Sequence, residues 1–127
     1  MPKAVIDASA LLAVLYGEPG ADVTLGAMGD AVMSAVNVAE AISKLVVRGI
    51  AEHDAIAAVH SFDVEVAPVD ERQAALAGLL HARSRRQGVS LGDAFCLALA
   101  KAVAAPALTA DRRWASLDLG VAVTLIR

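Results

Sequence analysis

Short apolar runs alternate with helix-periodic segments along the whole chain, and that alternation constrains the fold more than any other feature. Lys3–Ile6 reads as a buried strand, bounded by Pro2 and Asp7. Further strands are predicted at Ala31–Ser34, at Val64–Ala67 ahead of Pro68, within PALTA (106–110) and within VAVTLI (121–126). Between them lie helical segments at Ser9–Tyr16, broken by GEPG, and from Ala21 to about Gly26. Others run over Asn37–Arg48, over Glu52–His60, from an Asp70 cap to Arg86, from Ser90 onward, and through DRRWASL. Strands separated by helices or helix pairs predict an α/β fold. We expect one domain over residues 1–127, with a central parallel sheet of about five strands flanked by helices on both faces.

Periodicity assigns the buried faces. Val38, Ala41, Ile42, Leu45 and Val46 recur at helical spacing, and Gly49 suits the position just past that helix. Leu76, Leu79 and Leu80 are expected on one side of the helix that Asp70 caps. The run LGDAFCLALAKAVA is almost wholly apolar and must be covered on most faces. Ala supplies 29 residues of a 57% hydrophobic chain, which favours helices that pack closely.

Charge and composition exclude several functions. A net charge of −3 provides no global basic footprint, so any contact with nucleic acid must be local or cation-mediated. Aromatics at 3% are too few for a base-stacking platform. One cysteine, Cys96, rules out an internal disulfide and a Cys-rich zinc site. Asp7 interrupts the first apolar stretch, so a signal peptide is not expected. Lys101 and Pro106 interrupt the later one, which is too short for a bilayer. A soluble, cytoplasmic protein with no membrane contact is the expectation.

Four acids stand where such a fold builds sites. Asp7 follows the first strand and Asp111 follows the ALTA strand; in open α/β sheets, ligands bind beyond the carboxyl ends of strands. Glu40 is expected in the first turn of the helix after the second strand, and Asp93 in the first turn of the Ser90 helix. Each acid has a local explanation. Asp7 and Asp111 can cap the helices they precede, Glu40 has Lys44 four residues on, and SLGD fits a capping box. Capping does not explain why all four fall on one side of the predicted sheet. Unneutralised carboxylates a few ångströms apart repel by roughly 1 kcal/mol or more per pair. An oxygen-only cluster of this kind calls for Mg²⁺ or Mn²⁺.

The segments VIDASALLAVLYGEPG, NVAEAISKL, SLGDAFCLALA and LTADRRWASL carry a resemblance that spans essentially the whole chain. In that order they resemble the PIN-domain ribonucleases, and within them the VapC-type toxins of prokaryotic toxin–antitoxin pairs. The resemblance implies a metal-dependent endoribonuclease with Asp7, Glu40, Asp93 and Asp111 as both catalytic and metal-binding residues. Ser9 and Thr109 match auxiliary hydroxyls. It also implies Mg²⁺ or Mn²⁺ as cofactor, RNA as substrate, a homodimer and a cognate antitoxin. The apolar helices between Ala8 and Gly26 and between Asn37 and His60 are where it would place partner surface.

Weaker signals surround these. Arg112 and Arg113 are placed to touch RNA phosphates, as is Arg86 from the HARSRRQG cluster, where cations also suit a helix C-terminus. His53, His60 and His81 lack ligand spacing, Cys96 reads as core, and Trp114 fits either a core plug or an interface anchor. Two other functions fit the same acids: a metal-dependent phosphohydrolase of small substrates, and a non-catalytic interaction module with a vestigial acidic pocket. Such phosphohydrolases usually carry a second Asp where DASA has Ser9. Neither GxGxxG nor GxxxxGK[ST] is present.

Overall fold

Five parallel strands pair in the order β3-β2-β1-β4-β5. They are β1 (Ala4–Ile6), β2 (Ala31–Ser34), β3 (Val64–Ala67), β4 (Ala107–Thr109) and β5 (Val123–Leu125). The computed structural model describes residues 1–127. The chain winds outward from β1 through β2 to β3, then returns to place β4 on the other side of β1. The winding direction therefore reverses between β1 and β4, which opens a crevice beyond their carboxyl ends.

Six α-helices connect the strands: α1 (Ala8–Tyr16), α2 (Ala21–Ala27), α3 (Ala35–Val47), α4 (Glu52–His60), α5 (Glu71–Ser84) and α6 (Leu91–Val103). Alternate residues of the central strand feed two cores, as the period of a strand requires. Ala4 and Ile6 pack with Leu11, Leu12, Ala41, Leu45 and Val59 on the α1, α3 and α4 side. Val5 packs on the opposite face with Leu80, Leu97, Ala98 and Trp114, among α5 and α6. The expected α/β sandwich, with helices on both faces, is the observed one. No helix is long and apolar enough to cross a membrane.

Most differences from the sequence reading are local. Helix α3 begins at Ala35 rather than Asn37, because Ser34 ends β2 and at once accepts from Val36 N at 3.2 Å as the cap. Glu40 consequently lies in the second turn, not the first. Leu79 does not join Leu76 and Leu80; it is exposed, and the packed ridge of α5 runs through Leu76, Ala77, Leu80 and Ser84. That buried face is centred on Ala77, Leu80 and Ser84, which leaves Leu76 at its margin and Leu79 beyond it. The helix stops at Ser84, where a 3-10 turn, Arg85–Gln87, takes over. DRRWASL likewise forms a 3-10 turn, Arg112–Ser116, rather than an α-helix. Trp114 is resolved as a core plug, 1% exposed.

Candidate functional site

Asp7 sits at the carboxyl end of the central strand, where it is 5% exposed. Its local duty is to cap α1, accepting from Ala10 N at 2.8 Å. Two hydroxyls also reach it: Thr109 Oγ1 donates to Oδ2 at 2.6 Å, and Ser9 Oγ lies 2.8 and 2.9 Å from the two oxygens. Both hydroxyls accept in turn, Ser9 from Ala110 N at 2.9 Å and Thr109 from Asp111 N at 3.0 Å. The end of β4 is thus stitched to the end of β1 through the carboxylate. Three donors leave about one of its four lone-pair sites free.

Burial pushes the Asp7 carboxyl up to about 6, and the charge of Asp93 pushes in the same direction. The bonds from Thr109, Ala10 and Ser9 pull the other way and do not offset it. Because the folded-state pKa exceeds the unfolded value of 3.8, the native state binds more protons between those values. Stability of the cation-free protein should therefore fall as pH rises from about 4 to above 6, by on the order of 2–3 kcal/mol. Asp7→Asn should flatten that slope and raise stability at pH 7.5. Urea denaturation in chelator at pH 4.5 and 7.5 reads both; a wild-type slope of the opposite sign would refute the assignment.

Glu40 reaches the same crevice from α3. It makes no ion pair with Lys44; instead its Oε1 accepts from Asn37 Nδ2 at 2.7 Å. The same Nδ2 donates to Gly92 O at 3.0 Å, so the 1%-exposed Asn37 ties α3 to the first turn of α6. Gly92 allows this approach, because a Cβ there would overlap the Glu40 carboxylate. Asp93, next in sequence, closes the capping box of α6: Ser90 N donates to Asp93 Oδ2 at 2.9 Å, and Asp93 N to Ser90 Oγ at 3.1 Å. Asp111, two residues past β4, caps the turn Arg112–Ser116 and is gripped by Arg113. That guanidinium holds its carboxyl below the usual range.

All four acids line one cavity of about 250 Å³ at the crevice, with Ser9, Lys44, Ser90 and Arg113 in its wall. Their fields overlap beneath it as well. Burial raises the Cys96 thiol, and the charges of Asp7, Asp93 and Glu40 raise it further. Cys96 is fully buried and accordingly core. The donor set is all oxygen, with no His or Cys in the lining, which fits a hard divalent cation. No three of the acids converge closely enough to hold an ion directly; each is bonded to its own neighbour.

Of the cations expected at RNA, Arg113 alone lines the cavity; Arg86 and Arg112 are exposed away from its wall. Sequence reading missed Asn37, whose place three residues before Glu40 on one helix face was the available signal. It also missed Gly92 and Gly88, where a side chain would strike Glu40 and Arg113 respectively.

A family model for the PIN domain matches residues 4–119. No curated protein matches the sequence significantly. Among solved structures, the chain is similar to DNA-bound VapBC from Salmonella typhimurium, with a TM-score of 0.78 and 18% identity over 100% of both chains. VapBC-5 of a toxin–antitoxin family from Mycobacterium tuberculosis aligns at 0.61 and 25% identity over 99% of both. FitAcB from Neisseria gonorrhoeae aligns at 0.66 and 20% identity over 97% of both.

Proposed function

This chain belongs to the PIN-domain family, and from that premise we propose that it is a Mg²⁺- or Mn²⁺-dependent endoribonuclease acting as the toxin of a toxin–antitoxin pair. One observation carries the reading: four carboxylates from four separate elements line a single cavity where the sheet reverses its winding. The similarity to VapBC complexes supports the toxin role and an antitoxin partner. In this reading the protein is cytoplasmic and acts as a homodimer, and residues 1–127 form one nuclease domain.

Asp7, Asp93 and Asp111 would hold the cation, directly or through water, and Glu40 faces the same space. A bound divalent cation supplies Lewis-acid charge stabilisation for a phosphodiester undergoing in-line displacement. The protein's own part is positioning and proton transfer. Thr109 and Ser9 lock the Asp7 carboxylate, so its free lone pair keeps one direction. Asn37 holds one Glu40 oxygen, which fixes the carboxylate in the cavity wall. In this reading it would take the proton of a water that adds to phosphorus as one P–O ester bond breaks and the departing oxygen is protonated from solvent. Lys44, unpaired on the wall, is a point charge for a neighbouring backbone phosphate.

Purified protein incubated with RNA and Mn²⁺ should cut internally, and excess chelator should reduce cutting to background. Cutting that survives chelation would refute cation dependence. Hydrolysis of p-nitrophenyl phosphate with RNA left intact would favour the small-substrate phosphohydrolase. A Mn²⁺-induced rise in melting temperature separates a working site from a vestigial one.

A further inference from the structure

Arg113 grips Asp111 with both arms of its guanidinium. Nε donates to Oδ1 at 3.0 Å and Nη2 to Oδ2 at 2.7 Å, while the Arg113 backbone N–H also donates to Oδ1 at 3.0 Å. Three of about four lone-pair sites on this acid are thereby occupied. The fork covers both carboxylate oxygens, and a divalent ion approaching them meets like charge. The guanidinium also has a seat on the opposite wall. Gly88 adopts φ +85°, and a Cβ there would overlap Nη1. The cation therefore spans from the turn after β4 to the loop that leads into α6.

We propose that Arg113 is an exchangeable internal counter-ion: it holds Asp111 while the site lacks a cation, yields the carboxylate when a divalent cation enters, and then takes an RNA backbone phosphate. The inference rests on the cation-dependent nuclease reading above and deepens it. Three observations favour exchange over a permanent structural bridge. The Arg113 side chain is 63% exposed against 23% for Asp111, so the guanidinium can swing into solvent while the entering ion takes over the less exposed carboxylate. The cavity holds four carboxylates but only two cations, Lys44 and Arg113, and Lys44 makes no ion pair. Finally, a planar guanidinium that fits a carboxylate in two-point fashion fits a phosphate equally well, so one side chain serves both partners in turn.

Arg113→Gln keeps a hydrogen-bond donor on a shorter side chain and removes the charge. Titration calorimetry with Mn²⁺ in the absence of RNA should show binding about threefold to fivefold tighter than wild type, the scale of an exposed ion pair. Anisotropy with a fluorescent single-stranded oligonucleotide and Mn²⁺ present should show the reverse, a severalfold weaker complex. Gly88→Ala, which fills the seat while keeping the charge, should tighten Mn²⁺ binding as well. A bridge that merely holds the fold would give weaker or unchanged Mn²⁺ binding in both variants. Asp93→Asn separates the two levels of inference. If it loses Mn²⁺ while Arg113→Gln binds as wild type does, the counter-ion role fails and the nuclease reading stands. If neither wild type nor Arg113→Gln binds Mn²⁺, both fall.

Discussion

Replacing Asp93 with Asn is expected to lower cation-dependent RNA cleavage by at least about a hundredfold, and Asp7→Asn by as much or more; losses of 10²–10³ follow from removing a single charge-stabilising group. The folds should survive. An Asn at position 93 still offers a carbonyl oxygen to Ser90 N, so the capping box of α6 keeps its first bond. At position 7, an amide oxygen still caps α1 at Ala10 N. The two variants differ in stability. Asp7 is buried and loses an unfavourable charge, so its Asn form should melt higher in chelator, whereas the half-exposed Asp93 should change little. Initial rates on RNA with Mn²⁺, paired with melting curves in chelator, read both effects. Cleavage within twofold of wild type by both variants would sink the four-acid site.

Trp114→Ala should be the most destabilising single change outside the cavity, at about 3–5 kcal/mol. Against a typical total of about 5–15 kcal/mol, that is enough to unfold a marginal domain. The indole is 1% exposed and belongs to the same buried cluster as Val5, Val89, Leu97 and Ala98. It is also the only large side chain fastening the turn Arg112–Ser116 to the core, and Asp111 and Arg113 depend on that turn. Mn²⁺ affinity should therefore weaken along with stability. Trp114→Phe should recover much of the loss. It refills most of the space and removes a buried Nε1–H that has no acceptor, a group that costs about 1–3 kcal/mol when left unpaired. Urea denaturation of the three forms orders them; a Phe form no better than Ala would show that the indole's shape, not its apolar volume, is what matters.

Much of the site was legible in the sequence because its acids also do local work. Asp7, Asp93 and Asp111 cap their turns, as their spacing predicted, and the same capping puts each beside the crevice. Glu40 was harder. Ser34 serves as both strand end and helix cap, so no loop residue marked the start of α3, and the acid lies a turn further along than expected. Its i+4 partner Lys44 looked like the natural mate. The structure gives Glu40 to Asn37, because a buried amide bonded to Gly92 O already stands within reach. Leu79 differs for a related reason: Leu76, Leu79 and Leu80 share one helix face, but the packed face of α5 is centred on Ala77, Leu80 and Ser84, which small residues alone did not reveal.

By itself, the sequence determined the alternation of strands and helices, the caps, and the acids at the strand ends. These depend on neighbours within about four residues, where steric preference and hydrogen-bond reach are encoded directly. Only the tertiary structure decided which partner each acid takes. Thr109 meets Asp7 across 102 residues, and Asn37 meets Gly92 across 55. Whether Trp114 is covered, and where the Arg113 guanidinium finds its seat over Gly88, were decided there too. Such pairings follow from the strand order β3-β2-β1-β4-β5, which brings distant segments to one sheet edge at distances no local spacing can specify.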